Sequence, residues 1–422
     1  MVLNRRSVIA LAGGGAVMLS GCATTGGTAS NAASGSRGRS VRRAALPADY
    51  FTATPAPFPQ FSSVPEVPTH GFNFDSWNKL IANYVIDFGP SDRVSRGKPA
   101  AAIGTRFVNG HESQYRAEGN RIPFSLFEDE DRRRFSQARQ VLEDLGNNAP
   151  ISQFSWSDQL AYWFNLHNAA LIEQLALRYP VQRPERMLVG PDRLPLHEAK
   201  LVTVKDTPLS LRDIRVEIVY RHWRHPAAIY GFFHGVVGGP SIRKGAFRGS
   251  RIRRQLADSA NEFVNSLRGV RDFKSHIGVS TLYNETLPLF PNWQIDLRNH
   301  LASFADTEVS QLLEGELPLR IKQYDSRIAD LAGGERDTTS SSRTPSTGIA
   351  PSDITGDASD ALGNQMITAY TRPSSSSIPG LPDHGNRMMR ERRNKFQTLQ
   401  SRFGRRRKGI VTITDLPTQP VE

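Results

Sequence analysis

Apolar residues crowd most densely in QLAYWFNLHNAALIEQLALRYP, which runs from Gln159 to Pro180. Ser155-Trp-Ser-Asp158 ahead of it has the spacing of a capping box, and Pro180 ends it, so the pattern predicts a largely buried helix. Ala161, Asn165, Asn168 and Ile172 share one face by i, i+3, i+4 spacing, and His167 points to another. An unsatisfied buried polar group costs about 1–3 kcal/mol. The amides of Asn165 and Asn168 must therefore be satisfied, either by positioning a substrate or an oxyanion, or by tying down a neighbouring loop or strand.

Further along, TPLSLRDI (Thr207 to Ile214) reads as a turn followed by a helix start, with Ser210 as the cap and Asp213 three residues on. That helix is expected to run to about His222. AAIYGFFHGVV (Ala227 to Val237) is apolar, aromatic and β-branched, and predicts a buried strand or pair of strands broken by Gly231 and Gly235. It carries Tyr230 and His234; such a histidine is either a satisfied core group or a catalytic one. Gly238-Gly239-Pro240-Ser241 then makes a tight turn. Its amides offer an anion-binding nest, or they only redirect the chain. Ile252, Leu256, Ala260, Phe263 and Val264 recur at helical spacing within 250–267. Phe273, Ile277, Val279 and Leu282 suggest strand and turn, and helices are expected over 293–304 and 310–324. The class this predicts is α+β: an α-rich single domain with a small β-sheet.

Composition limits how much of the 422 residues can belong to that domain. Residues 23–68 and 331–386 are rich in Ser, Thr, Pro, Gly and Ala, and neither stretch buries enough apolar surface to offset the entropy of ordering it. Both are expected to be disordered linkers flanking a domain over 69–330. Ahead of them, residues 1–22 read as an export signal: Arg5 and Arg6, then a short apolar stretch from Val8 to Leu19, then Leu19-Ser20-Gly21-Cys22, which resembles a lipobox. The stretch is too short to cross about 30 Å of hydrocarbon. The Arg pair also resembles a twin-arginine signal. The expectation is a membrane-anchored lipoprotein on the periplasmic side of the envelope, held by lipid on Cys22, with the outer membrane favoured because no Asp follows the cysteine. Cys22 is the chain's one cysteine, so the mature domain is expected to carry neither a disulfide nor a nucleophilic thiol.

The formal charge of +12 sits in the tails. Between Arg387 and Lys408 ten Lys or Arg face a single acid, Glu391; Arg37, Arg39, Arg42 and Arg43 lie in the first linker, and the remainder is close to neutral. A nucleic-acid-binding face is not supported. The tail over 387–422 can form a basic amphipathic helix presenting Met388, Met389, Phe396, Leu399 and Phe403, suited to anionic lipid or another envelope polyanion. His222 and His225 with Glu217 lack the converging ligands a metal site needs. No GxSxG elbow surrounds Ser241, and no phosphate-binding glycine motif occurs. Neither a metal nor a cofactor is expected.

At WSDQLAYWFNLHNAALIEQLALRYPV the chain resembles the domain-of-unknown-function family 547. Trp163, Asn165, Asn168 and Ala169 match that family's helix, and His167 stands where it usually has Tyr. LSLRDI, HPAAIYGFFHGVVGGPSI, NEFVNS and VSTLY…FPNW extend the likeness over roughly Phe74 to Ala305. Many members carry a His and a Cys in the segment that HPAAIYGFFHGVVGGPSI matches, which invites analogy with papain- or transglutaminase-like folds. Here Ile229 aligns with the His and Gly239 with the Cys. The resemblance thus implies a degenerate site, with Asn165, His167, Asn168, Tyr230, His234, Gly239 and Ser241 as the candidate residues. The favoured expectation is a non-catalytic binding or scaffold domain; the alternative is an envelope hydrolase or transferase acting on peptide or amide bonds without a cysteine.

Overall fold

The computed structural model describes residues 45–62, 71–97, 110–335 and 383–406. The expected export signal, with Arg5, Arg6 and Cys22, lies outside them. Among the described residues no helix is long and apolar enough to cross a membrane.

Helices come first in the described chain: α1 (Tyr50–Ala53), α2 (Asp75–Tyr84), α3 (Asp129–Asn148) and α4 (Trp156–Arg178). α4 is the axis of the molecule. Ser155 Oγ accepts from the Asp158 amide at 3.1 Å, and every residue from Gln159 to Glu173 is buried. A helix apolar on all sides must be covered on all sides. α3 lies along it, and the aromatic rings of Tyr162 and Trp163 are enclosed by Phe72 and Phe61, with ring centroids 5.2 Å apart in both pairs.

Two small hairpins follow, β1 (Leu188–Val189) with β2 (Leu194–Pro195) and β3 (Lys200–Val204) with β4 (Thr207–Ser210), both antiparallel. As expected, Ser210 caps the next helix: its Oγ accepts from the Asp213 amide at 3.0 Å, and Asp213 Oδ2 accepts from the Ser210 amide at 2.7 Å. That helix is π-helical over Asp213–Tyr220 and α-helical in α5 (Arg221–Trp223).

The segment expected as a buried strand is instead a 3-10 helix over Pro226–Gly231 that leads into extended backbone. His225 accepts from the Ala227 amide and Pro226 fixes the first turn. The β-like composition reflects burial, not pairing: among the described residues the segment's one ladder contact is the bridge of Val236 to Ile328.

α6 (Ile252–Val264) and α7 (Trp293–Ala302) stand where periodicity puts them. The helix expected over 310–324 stops early. α8 (Thr307–Glu314) is followed by β7 (Leu319–Gln323), which pairs in parallel with β6 (His276–Ser280); β6 pairs antiparallel with β5 (Val270–Phe273). The result is an α-rich α+β fold with one three-stranded sheet, ordered β5-β6-β7.

Both expected linkers and the basic tail need correction at their edges. Residues 45–62 are not free linker: Phe51 and Phe61 are buried in the main core, Tyr50 donates to Glu217 at 2.6 Å, and Arg221 holds the Phe51 and Thr54 carbonyls. Aromatic anchors outweigh the Pro- and Ala-rich composition there. Leu331 and Ala332 are likewise buried, at 1 % exposure. The basic tail does form a helix, α9 (Asp383–Arg406). Its apolar face is already covered, because Met388 and Met389 pack with Ile86, Phe88 and Leu331. Arg116 grips Glu391 at 2.7 and 3.0 Å, and Lys395 donates to the Ala117 carbonyl at 2.8 Å. Gly89 holds a positive φ of 67°, and a Cβ there would meet the Phe396 ring at 2.7 Å, so this close approach of helix and loop requires glycine. The apolar face around Met388 and Met389 therefore lies on the chain's own domain; of the described arginines of α9, Arg390 is exposed and Arg387, Arg392 and Arg393 are half-buried.

Candidate functional site

Each α4 asparagine is satisfied by reading the backbone of a neighbouring segment. Asn165 donates to the Phe247 carbonyl and accepts from the Phe247 amide, both at 2.9 Å. Asn168 donates to the Gly231 carbonyl at 3.0 Å and accepts from the Phe233 amide at 2.9 Å. A carboxamide carries one donor edge and one acceptor edge, so each side chain completes a buried peptide group much as a neighbouring strand would. These are the ties that the sequence left as one of two readings.

His167 extends the Asn168 contact into a buried polar chain. Its Nδ1 lies 3.0 Å from Asn168 Oδ1, and its Nε2 lies 3.1 Å from Arg215 Nη1. An arginine can only donate, so Nε2 accepts and the ring proton sits on Nδ1. The same Nη1 lies 3.2 Å from His197 Nδ1, while the rest of the guanidinium forms a fork on Glu285 at 2.8 and 3.2 Å. His234 sits beside both histidines, its ring centroid 6.4 Å from that of His167 and 5.8 Å from that of His197. Arg215 and Glu285 are buried, and His167 and His234 are fully so. Arg215, His197 and Glu285 were not among the sequence candidates. The only local sign was a cation inside the apolar run Ile214 to Tyr220, a position that demands a buried partner.

Tyr230 faces a different cluster. Its hydroxyl lies 2.9 Å from that of Tyr283 and 3.0 Å from His300 Nε2, and its ring stacks on the His300 imidazole. Burial lowers the His300 pKa to about 4. The ring is therefore neutral and can accept from the phenol, whose own pKa burial raises.

Gly239 and Ser241 serve the loops. The Gly239 carbonyl accepts from Arg268 at 2.8 Å, and a Cβ on Gly239 would stand 3.2 Å from the Cβ of His234. The turn lacks the row of free successive amides that an anion nest needs, because those of Gly238 and Gly239 are spent. Val237 donates to Arg327, Gly238 to Asp325 and Gly239 to Val236. Ser241 Oγ accepts from the Asn120 amide at 3.1 Å, and the Asn120 side chain returns a bond to the Ile242 carbonyl. The seven candidates thus divide among backbone ties (Asn165, Asn168, Ser241), a buried His–Arg–Glu cluster (His167, with His234 and Gly239 at its edge) and a phenol–imidazole pair (Tyr230). Among the described residues no group of three or more His, Cys, Asp or Glu is placed to hold a metal ion.

Fold and site together define an α-rich α+β domain organised round one buried helix whose polar groups bind its own backbone. Residues 151–264, from the turn before α4 to the end of α6, match the model of a family described as protein of unknown function, DUF547. Over that span the chain is similar to that family; the span is narrower than the resemblance over Phe74 to Ala305. Neither the search of curated proteins nor that of solved structures returned a match.

Proposed function

We propose that this chain is a cell-envelope lipoprotein, anchored through lipid on Cys22 after export, whose domain is a non-catalytic binding or scaffold module. Gly239 carries the reading. It stands where the resemblance implies a cysteine, and it places no side chain beside His234. Nucleophilic catalysis needs an activated nucleophile within reach of its base. The hydroxyl nearest in sequence, that of Ser241, accepts from a backbone amide, and the α4 amides are committed to peptide groups. The basic residues of the tail, Arg390, Arg392 and Arg393 among them, suit anionic lipid or another envelope polyanion.

The test has two arms. Purified chain is incubated with cell-wall peptides and amide substrates, and Cys22→Ser is compared with wild type for membrane retention. The expected results are no turnover above the buffer rate and loss of retention in the variant. Turnover abolished by His234→Ala would replace this reading with that of a hydrolase or transferase working without a thiol.

A further inference from the structure

We infer that the groove between the start of α4 and the start of α6 is a binding site for a phosphomonoester attached to a larger body. The groove is open to solvent, holds about 760 Å³ and is lined by Gly71, Phe72, Ser155, Ser157, Asp158 and residues 248–254. Four arginines are among its lining residues, Arg248, Arg251, Arg253 and Arg254.

Among the described residues only Arg248 of the four is in an ion pair, with Asp75 at 2.6 Å. Asp158 is the one carboxylate in the lining; it accepts from Ser155 Oγ at 2.7 Å. Four cations against two carboxylates leave an excess of two positive charges. A phosphomonoester carries about −1.5 to −2 at neutral pH and presents three acceptor oxygens.

The placement of these arginines is also expected to cost stability. The first turn of α6 contains no acidic residue. A 3-10 turn over Gly249–Arg251 leads into α6, so Arg251 stands in the opening turn of the helical run and Arg253 and Arg254 in the turn after it, and all three are exposed. Positive charge at a helix N-terminus opposes the macrodipole, whereas an anion there is favoured. An anion between the two helix starts would reverse the sign of this interaction. Arginine suits the task because its planar fork pairs with two phosphate oxygens at once. The volume exceeds what a bare phosphate fills and lies in the range of small-molecule sites, about 300–1,000 Å³. None of these residues belongs to the buried clusters, so the inference stands apart from the question of catalysis.

The test is calorimetric titration of the full chain with glucose 6-phosphate, inorganic phosphate and glucose, at two salt concentrations. Saturable binding of glucose 6-phosphate is expected, weaker at high salt. Inorganic phosphate should bind more weakly and glucose not at all. The double variant Arg251→Gln/Arg254→Gln should lose about tenfold or more in affinity, since charge-assisted bonds are removed. Arg390→Gln/Arg393→Gln on α9 should leave it unchanged. Without ligand, the groove variant should melt no lower than wild type, because the unfavourable charge at the helix start is gone. Equal affinity of wild type and groove variant, or no saturation with any phosphate, would overturn the site. Equal affinity for inorganic phosphate would overturn the larger ligand. A lowered melting temperature of the groove variant would make the arginines scaffold.

Discussion

At Asn165 the side chain does what a strand edge does elsewhere, and that dictates how it fails. Asn165→Asp removes the donor to the Phe247 carbonyl and buries a carboxylate. The protonated acid, however, restores both a donor and an acceptor in nearly the same shape. The variant's carboxyl should therefore titrate far above the usual range. Its deficit relative to wild type, read from urea midpoints, should be large at pH 7 and shrink as the pH falls toward 4. A deficit independent of pH would mean that the amide's donor edge contributes nothing.

His300 has the opposite dependence. Its folded pKa, about 4, lies below the ordinary value of 6.5, so the unfolded chain binds the extra proton between these values. Its stabilising contribution is complete above pH 6.5 and is lost as the pH falls through 4, up to about 3 kcal/mol. Asp330, which burial raises to about 7, gives the reverse slope over much of this window. The comparison is therefore between wild type and His300→Gln: the variant should lose less stability on going from pH 6.5 to 4. Parallel curves would refute the neutral imidazole. None of this was legible in the sequence, which shows Tyr230 and His300 seventy positions apart.

Among the elements, those with strong local punctuation were the legible ones. Ser155 and Pro180 bracket α4, Ser210 and Asp213 start the next helix, and the apolar stripe of α6 is regular. Pro226–Gly231 misled because an apolar, β-branched run is the signature of burial, whether the backbone pairs or coils. β7 misled because Leu319 and Ile321 continue an apolar pattern that only the parallel partner β6 resolves as a strand.

The amphipathic face of α9 was legible and its target was not: Ile86, Phe88 and Leu331 reach it from two distant parts of the chain. Lys395 makes the seating of α9 sensitive to pH. Burial lowers its pKa to about 8, against the partial support of Asp92, Glu118 and Glu262. Between about pH 8 and the ordinary 10.5 the unfolded chain holds the extra proton, so stability rises with pH over that interval. Wild type should gain up to about 3 kcal/mol relative to Lys395→Met between pH 8 and 10.5. Urea midpoints that move in parallel would show that the ammonium is not buried in solution.

For the molecule as a whole, the α+β class and the central helix could be read in advance, and the domain's edges could not. Composition assigned residues 45–62 and the α9 segment to flanking tails, yet a few aromatic and methionine side chains bring both onto the domain. Candidate residues were found by their cost: buried amides, an imidazole in an apolar run, glycines in a turn. That signal marks residues needing partners without saying whether the partner is a ligand or the chain's own backbone. In this fold the amides of Asn165 and Asn168 find backbone and His167 finds the Asn168 and Arg215 side chains, and the groove carrying surplus charge lies elsewhere.

The central claim is that the family-like polar residues hold the fold and do not serve a reaction. Equilibrium urea unfolding of the full chain, as wild type, Asn168→Ala and His234→Ala, tests it most directly. Asn168→Ala strands a buried carbonyl and a buried amide, and His234→Ala leaves a void among buried side chains. Each should lose about 1–3 kcal/mol. Variants as stable as wild type, or more stable, would contradict the account, because residues kept for function at a cost to stability behave that way.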